Sequence, residues 1–256
     1  MMRLTTFASG SSGNCALLSM DGVHILLDAG ISCRRICEHL RLTGINCEDL
    51  AAILITHEHS DHIAGLATLA KRCAAPICAP RAVAGYLDRT IAGVSLRLRV
   101  TAPEEHLRFG DVTVRSFRTS HDSAESVGWR ADGPSGSFAL ATDSGCVTPE
   151  MREGLRGARC VLIEANHDVD MLLSGPYPPY LKRRILSERG HLSNDDCAAL
   201  AADLAREGTR QILLGHLSRE NNSPARALQT VSAALSGSGA AVYVAPADGR
   251  ITLEDG

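Results

Sequence analysis

The sequence predicts an α/β (α+β) protein in which two packed sheets carry helices on their outer faces. Strands come first and then alternate with helices, and this order runs twice along the 256 residues. No long Pro/Ser run, charge block or low-complexity tract marks a linker. Strand-like runs end repeatedly in His or Asp, as expected where a site sits at the end of a sheet. The length admits one large domain or two small ones. Without a linker, we expect a single domain over residues 1–256.

Runs at 16–19 and 23–28 read as a hairpin about Asp21-Gly22. A helix over 33–42 stops at Gly44. The apolar run 51–56 is a buried strand, and a helix over 63–72 follows it. The middle is β-rich, with strands at 112–117 and 137–141 and a turn at Asp132-Gly133. Beyond a buried strand at 160–163, helices are expected at 179–189, 194–207 and 224–235, with Ser193 and Asp196 as a capping-box variant for the second. A strand at 211–214 lies between the last two helices. The end, 241–246 and 251–253 about Asp248-Gly249, carries a hairpin signal.

The most informative stretch follows the strand at 51–56: His57-Glu58-His59-Ser60-Asp61-His62. Neutral imidazole and carboxylate are the usual ligands of zinc and similar divalent ions. His57 and His59 can point the same way from an extended loop, while Asp61 and His62 can face a second ion. The register is not that of a helical His-Glu-x-x-His protease site. Further strands end at His121 in Thr119-Ser120-His121-Asp122, at Asp143 in Thr142-Asp143-Ser144-Gly145, and at His216 in Gly215-His216-Leu217-Ser218. No Cys falls at a ligand position, which argues against a structural zinc site.

Taken together, these motifs resemble the signature of the metallo-β-lactamase-fold superfamily. The resemblance implies a four-layer αββα sandwich. It implies two divalent metal ions, zinc or manganese, with His57, His59 and His121 on one, Asp61, His62 and His216 on the other, and Asp143 between them. Asp28 in Leu27-Asp28-Ala29-Gly30 would support the ligand loop rather than bind metal. Two ions about 3.5–4 Å apart lower the pKa of a shared water and stabilise charge on an attacked centre.

Within that superfamily the chain resembles the YycJ/WalJ-like hydrolases, described as DNA exonucleases, nearly end to end. The shared segments include Glu164-Ala165-Asn166-His167-Asp168, Gly175-Pro176-Tyr177-Pro178 and Gly190-His191-Leu192-Ser193. Glu164 and His191 also resemble the Glu and His pair of tRNA 3′-processing endonucleases of this fold. That resemblance implies His191 as general acid and Glu164 as its partner, since a nearby carboxylate raises an imidazole's pKa. Here Ile163 replaces the expected His before Glu, and Leu192 separates Gly-His from Ser193. Asp61 is counted with the catalytic residues as well as the ligands.

Ala8-Ser9-Gly10-Ser11-Ser12-Gly13-Asn14 reads as a tight loop or as an anion cradle, with Ser11, Ser12 and Asn14 as candidate substrate contacts. Ser218 and Asn222, before the helix that starts at Pro224, are candidate contacts to a terminal phosphate, and Ser223 is its cap. His167 and Asp168 either line a groove or pack structurally. The expected substrate is DNA with a 5′ end, by resemblance alone. A net charge of −3 gives no global basic footprint for nucleic acid. Arg34-Arg35 and Lys182-Arg183-Arg184 can flank a groove, and Tyr177 and Tyr180 can stack bases, whereas Trp129 is a better core residue. Nine scattered cysteines suit reduced cytosolic thiols, and no stretch is long and apolar enough for a signal peptide or membrane span. Competing readings are a small or cyclic phosphodiesterase or thioesterase on the same fold, and an inactive metal-binding regulator.

Overall fold

The computed structural model describes residues 1–255 of the chain. Its first half builds one seven-stranded sheet. The strands are β1 (Met2–Ala8), β2 (Cys15–Met20), β3 (Val23–Leu27), β4 (Leu50–Leu54), β5 (Ile77–Pro80) and β6 (Leu98–Thr101), and the last strand of the chain, β14 (Ile251–Asp255), completes it. The second sheet holds β7 (Leu107–Phe109), β8 (Val112–Arg118), β9 (Val127–Gly133), β10 (Gly136–Ala141), β11 (Cys160–Glu164), β12 (Gln211–Gly215) and β13 (Ala241–Val244). In each sheet one half is antiparallel and the other parallel: β3 to β6 in the first, β10 to β13 in the second.

Side-chain alternation explains the layers. Ile25, Leu27, Ala52 and Leu54 face Trp129, Phe138, Leu162 and Leu213 in a core between the sheets. The intervening Leu26 and Ile53 face outward into a second core with α1 (Cys33–Leu42), α3 (Leu66–Leu69) and α4 (Arg81–Thr90). Val161, Ile163, Ile212 and Leu214 pack likewise against α5 (Pro149–Leu155), α8 (Asn194–Arg206) and α9 (Pro224–Ala234). The result is the expected αββα sandwich. The short helices α2 (Ser60–Ile63), α6 (Val169–Ser174) and α7 (Pro179–Ile185) lie in the loops of the site.

Four local expectations need correction. The helix expected over 63–72 is two short pieces, α2 and α3. The break lets the Gly65 amide reach the Ala29 carbonyl at 2.8 Å. A Cβ at Gly65 would fall 2.1 Å from the Ile31 oxygen. The turn expected at Asp132-Gly133 lies at Pro134-Ser135, because Asp132 and Gly133 still pair with Ser137 and Gly136. The helix expected over 179–189 ends at Ile185. There the chain folds back, with the His191 amide donating to the Ile185 carbonyl at 3.0 Å. Finally, Asp248-Gly249 joins no hairpin. β13 adds parallel to β12, β14 adds antiparallel to β1, and the link carries the chain from one sheet to the other. Each strand covers a sheet edge that would otherwise be open.

The Ser193 cap on α8 is as expected, its hydroxyl accepting from the Asp196 amide at 3.0 Å. Among the described residues no helix is long and apolar enough to cross a membrane.

Candidate metal centre and active site

The site forms where the parallel strands of both sheets end. Three strand ends carry a residue in the left-handed region: Asp28 (φ 55°), Asp143 (φ 57°) and His216 (φ 54°). Such backbone costs about 1–3 kcal/mol per residue, and Asp and His tolerate it better than most. Each of the three side chains enters the His/Asp cluster.

Asp28 braces the ligand loop as the sequence suggested. Its Oδ1 accepts the Thr56 amide at 2.8 Å, and its Oδ2 lies 2.8 Å from His62 Nδ1. Nδ1 of His62 therefore carries the proton and Nε2 is left to face the cluster. The Thr56 hydroxyl donates to Asp28 and sits 3.0 Å from His57 Nδ1, orienting that ring as well. Gly30 is required beside them, since a Cβ there would fall 1.7 Å from the Asp61 carbonyl oxygen.

His57, His59 and His121 form one group whose ligand atoms lie within 4.8 Å of one another, and Asp61, His62 and His216 form another. His57 Nε2 is 3.1 Å from His59 Nδ1. His121 Nδ1 donates to the Gly190 carbonyl at 3.1 Å, so its Nε2 also turns inward. Asp143 lies between the groups: Oδ2 is 3.1 Å from His62 Nε2, and Oδ1 is 3.8 Å from His121 Nε2 and 3.4 Å from His216 Nδ1. Asp143 Oδ2 and His216 Nε2 are buried without any aligned hydrogen-bond partner. Orphaned donors of this kind, in a set made only of imidazole and carboxylate, fit divalent metal.

The electrostatics agree. Burial pushes the His57 imidazole well below its ordinary value, aided by His62. Burial acts the same way on His62, but the Asp28 and Asp143 carboxylates overcome it and raise that group to about 10. Burial opposes ionisation of Asp143, yet His216 and His62 hold its carboxyl well below the usual range. The protein balances buried carboxylates with imidazolium, the charge that a bound cation would otherwise supply.

Glu164, fully buried at the end of β11, ties this cluster to His191. Its Oε1 accepts from His191 Nδ1 at 2.8 Å and from His216 Nδ1 at 2.7 Å. Its Oε2 accepts the amides of Ser144 at 3.1 Å and Leu192 at 3.3 Å. Burial opposes its charge, but His191 and these bonds bring its pKa down to about 2. Burial also opposes charge on His191, and Glu164 outweighs it, raising the imidazole. The sequence suggested the Glu164–His191 pair and missed the bond to His216. Parallel pairing of β11 and β12 sets Glu164 opposite Gly215, one residue before that ligand.

His191 lies in the wall of a cleft with Ser11, Tyr177, Arg184, His216 and Ser218. Ser12 is exposed at the rim, accepting from Arg219 at 2.9 Å. Two expected substrate contacts, Asn14 and Asn222, are instead engaged within the protein. Asn14 is buried and stitches the Gly10 loop to the ligand segment: its Oδ1 accepts the Gly10 amide at 2.9 Å and its Nδ2 lies 3.0 Å from His62 Nε2. Asn222 is buried too, and its side chain holds the carbonyls of Ala165 and Asn166 and the amide group of Asn194, leaving nothing for a phosphate.

Asp168 is structural, capping α6 at Met171 and pairing with Arg226 at 2.9 Å. His167 is buried, with neither ring nitrogen hydrogen-bonded. Trp129 is a core residue whose indole donates to the Ile55 carbonyl of the facing sheet at 3.3 Å. Arg35 is engaged by Asp248, and Arg184 by Asp122 at 2.5 Å.

A family profile described as "Beta-lactamase superfamily domain" matches residues 24–217. The chain is 37% identical over 235 residues to "Exodeoxyribonuclease YycJ" of Bacillus anthracis, covering 91% of this chain and 89% of that one. It is 39% identical over 227 residues to "Exodeoxyribonuclease WalJ" of Streptococcus pneumoniae serotype 2, covering 86% and 83%. In structure it superposes on the metallo-β-lactamase-fold protein YhfI from Bacillus subtilis with a TM-score of 0.75, 17% identity and coverage of 99% and 100%. The chain belongs to the β-lactamase superfamily and, within it, to the family of the YycJ and WalJ proteins.

Proposed function

We propose that this metal-dependent hydrolase, one domain over residues 1–256, is a DNA exonuclease that uses two divalent ions, zinc or manganese, and degrades from a 5′ end. The observation that carries a phosphodiester substrate is the 2.8 Å bond from Glu164 to His191 beside the ligand cluster. A buried carboxylate that keeps an imidazole protonated at the cleft wall is machinery for protonating a poor leaving group such as a sugar oxygen. DNA as substrate, and the exonucleolytic mode, are supported by the exodeoxyribonucleases that the chain resembles over most of its length.

In this reading His57, His59 and His121 would hold one ion, Asp61, His62 and His216 would hold the other, and Asp143, lying between the two groups, would serve both. When bound, the ions supply activated water and neutralise charge growing on the phosphate oxygens. Asp28 and Thr56 fix the imidazoles that face them. Ser11 and Ser218 offer hydroxyls to the phosphate from the cleft wall. His191, its Nδ1 proton held by Glu164, delivers the Nε2 proton to the departing oxygen. A thiolate leaving group would hardly need this acid, so a thioesterase gives His191 no task.

The test is release of mononucleotides from end-labelled single-stranded DNA, with and without a 5′ phosphate, in Mn²⁺. Stepwise release by the wild type, reduced about 10²–10⁴-fold in His191→Ala at equal metal content, is expected for loss of a general acid. Absence of release by metal-loaded wild type refutes the DNA assignment. Undiminished release by the variant refutes His191 as the acid.

A further inference from the structure

Four cysteines gather away from the ligand cluster, between α1 and the 3₁₀ turn Cys47–Asp49 that leads into β4. Cys37 Sγ lies 3.0 Å from Cys47 Sγ and 3.8 Å from Cys33 Sγ. Cys73 turns aside and donates its S–H to the Cys47 carbonyl at 3.1 Å. All are free thiols. No three of these sulfurs come within 4.8 Å of one another, so they do not form the tetrahedral cage that a zinc ion takes.

The Cys37–Cys47 pair is also reachable. Cys37 is only half-buried, and both cysteines line a surface hollow together with Arg41, Asn46, Glu48 and Arg72. Burial, and next the bond to Cys37, push Cys47 up to about 12, and burial takes Cys33 to about 11. Cys37 is the one thiol of the four that is not fully buried, and its sulfur lies between those of Cys47 and Cys33, which places it to meet a peroxide first. The 3.0 Å between the two sulfurs of Cys37 and Cys47 is only about 1 Å more than a disulfide bond length of about 2.05 Å.

We propose that Cys37 and Cys47 are a peroxide-responsive dithiol that closes reversibly to a disulfide. The Cys37 thiolate attacks one oxygen of a peroxide. The O–O bond breaks, hydroxide leaves, and Cys37 becomes a sulfenic acid. Cys47 sulfur then attacks Cys37 sulfur, giving up its proton as water departs. Two thiols lose two electrons and two protons, and hydrogen peroxide becomes two waters. The bond ties α1 to the turn before β4 across the segment 38–46 and is reopened by a dithiol reductant.

The test treats the metal-loaded protein with stoichiometric hydrogen peroxide and maps its peptides by mass. The expected result is a loss of about 2 Da, located to a Cys37–Cys47 peptide and reversed by dithiothreitol. Cys47→Ser should instead accumulate a dimedone-reactive sulfenic acid on Cys37, and Cys37→Ser should show neither product. Cys146, the other half-buried thiol, stands alone and serves as the internal control. Oxidation of Cys146 ahead of Cys37, a crosslink from Cys37 to Cys33, or resistance of the wild type to peroxide would each overturn the proposal. So would the loss of a bound zinc equivalent in Cys37→Ser, which would mean that the thiols form a metal site.

Discussion

Replacing Glu164 by Gln removes one charge and no volume, and its consequences can be counted. The wild-type carboxylate accepts from two imidazoles on Oε1 and two backbone amides on Oε2. A glutamine has one acceptor oxygen. If that oxygen faces the imidazoles, as metal ligation through His216 Nε2 requires, the new NH₂ meets the N–H groups of Ser144 and Leu192. Two buried donors then lose their acceptor, at about 1–3 kcal/mol each. A total of about 2–6 kcal/mol is a large share of the roughly 5–15 kcal/mol that holds a typical domain together. The variant should melt well below wild type.

The catalytic consequence has a definite sign. Glu164 raises His191, so its loss lets the imidazole pKa fall. The acid is active only while protonated, and turnover declines as pH rises through that pKa. The alkaline limb of the kcat profile should therefore move to lower pH in Glu164→Gln. The assay is kcat against pH on single-stranded DNA, with metal content measured on the same samples. An unmoved limb at full metal occupancy would refute the assignment of acid and partner.

Three further outcomes follow from the site. Asp28→Asn loses the anion that holds His62 Nδ1 and the Thr56 amide, and metal affinity measured by competition with a chelator should drop about 10–100-fold. Metal binding should release protons, because His62 and His216 are raised in the metal-free site and must give up a proton to ligate. Calorimetry in two buffers of different ionisation enthalpy reads this release at neutral pH, and its absence would mean that these imidazoles are not ligands. Asn222→Ala should lower stability by about 1–3 kcal/mol, by stranding the Ala165 carbonyl and the buried Asn194 side chain, while KM for DNA stays unchanged.

What was legible in the sequence depended on how narrowly chemistry restricts each choice. Few residue types bind divalent metal, and His57, His59, Asp61, His62, His121, Asp143 and His216 all follow strand-like runs, so their order along the chain pointed to the cluster that the fold brings together. The substrate contacts were read with less constraint. Asn14 and Asn222 sit in polar loops beside the cluster, but a buried Asn is at least as useful to backbone carbonyls as to a ligand, and both are spent that way. Asp248-Gly249 is a sound local hairpin signal. It lost to two long-range pairings, with β12 and with β1, that no short window contains.

The double role of Glu164 was out of reach for the same reason, and it changes how the site works. Sequence placed Glu164 beside His191 through a motif, but its second partner depends on β11 lying parallel to β12 in one register. One oxygen then accepts from both His191, the proposed acid, and His216, a proposed ligand. Two divalent ions in the cluster would replace the protons of His62 and His216 with a larger positive charge. That charge would repel the His191 imidazolium and offset the carboxylate that stabilises it. Occupancy of the metal cluster should thus lower the pKa of the acid from its metal-free value and make its proton easier to give up. Coupling of this kind lets one buried carboxylate hold the acid charged in the empty site and release its proton only when the machinery for hydrolysis is assembled.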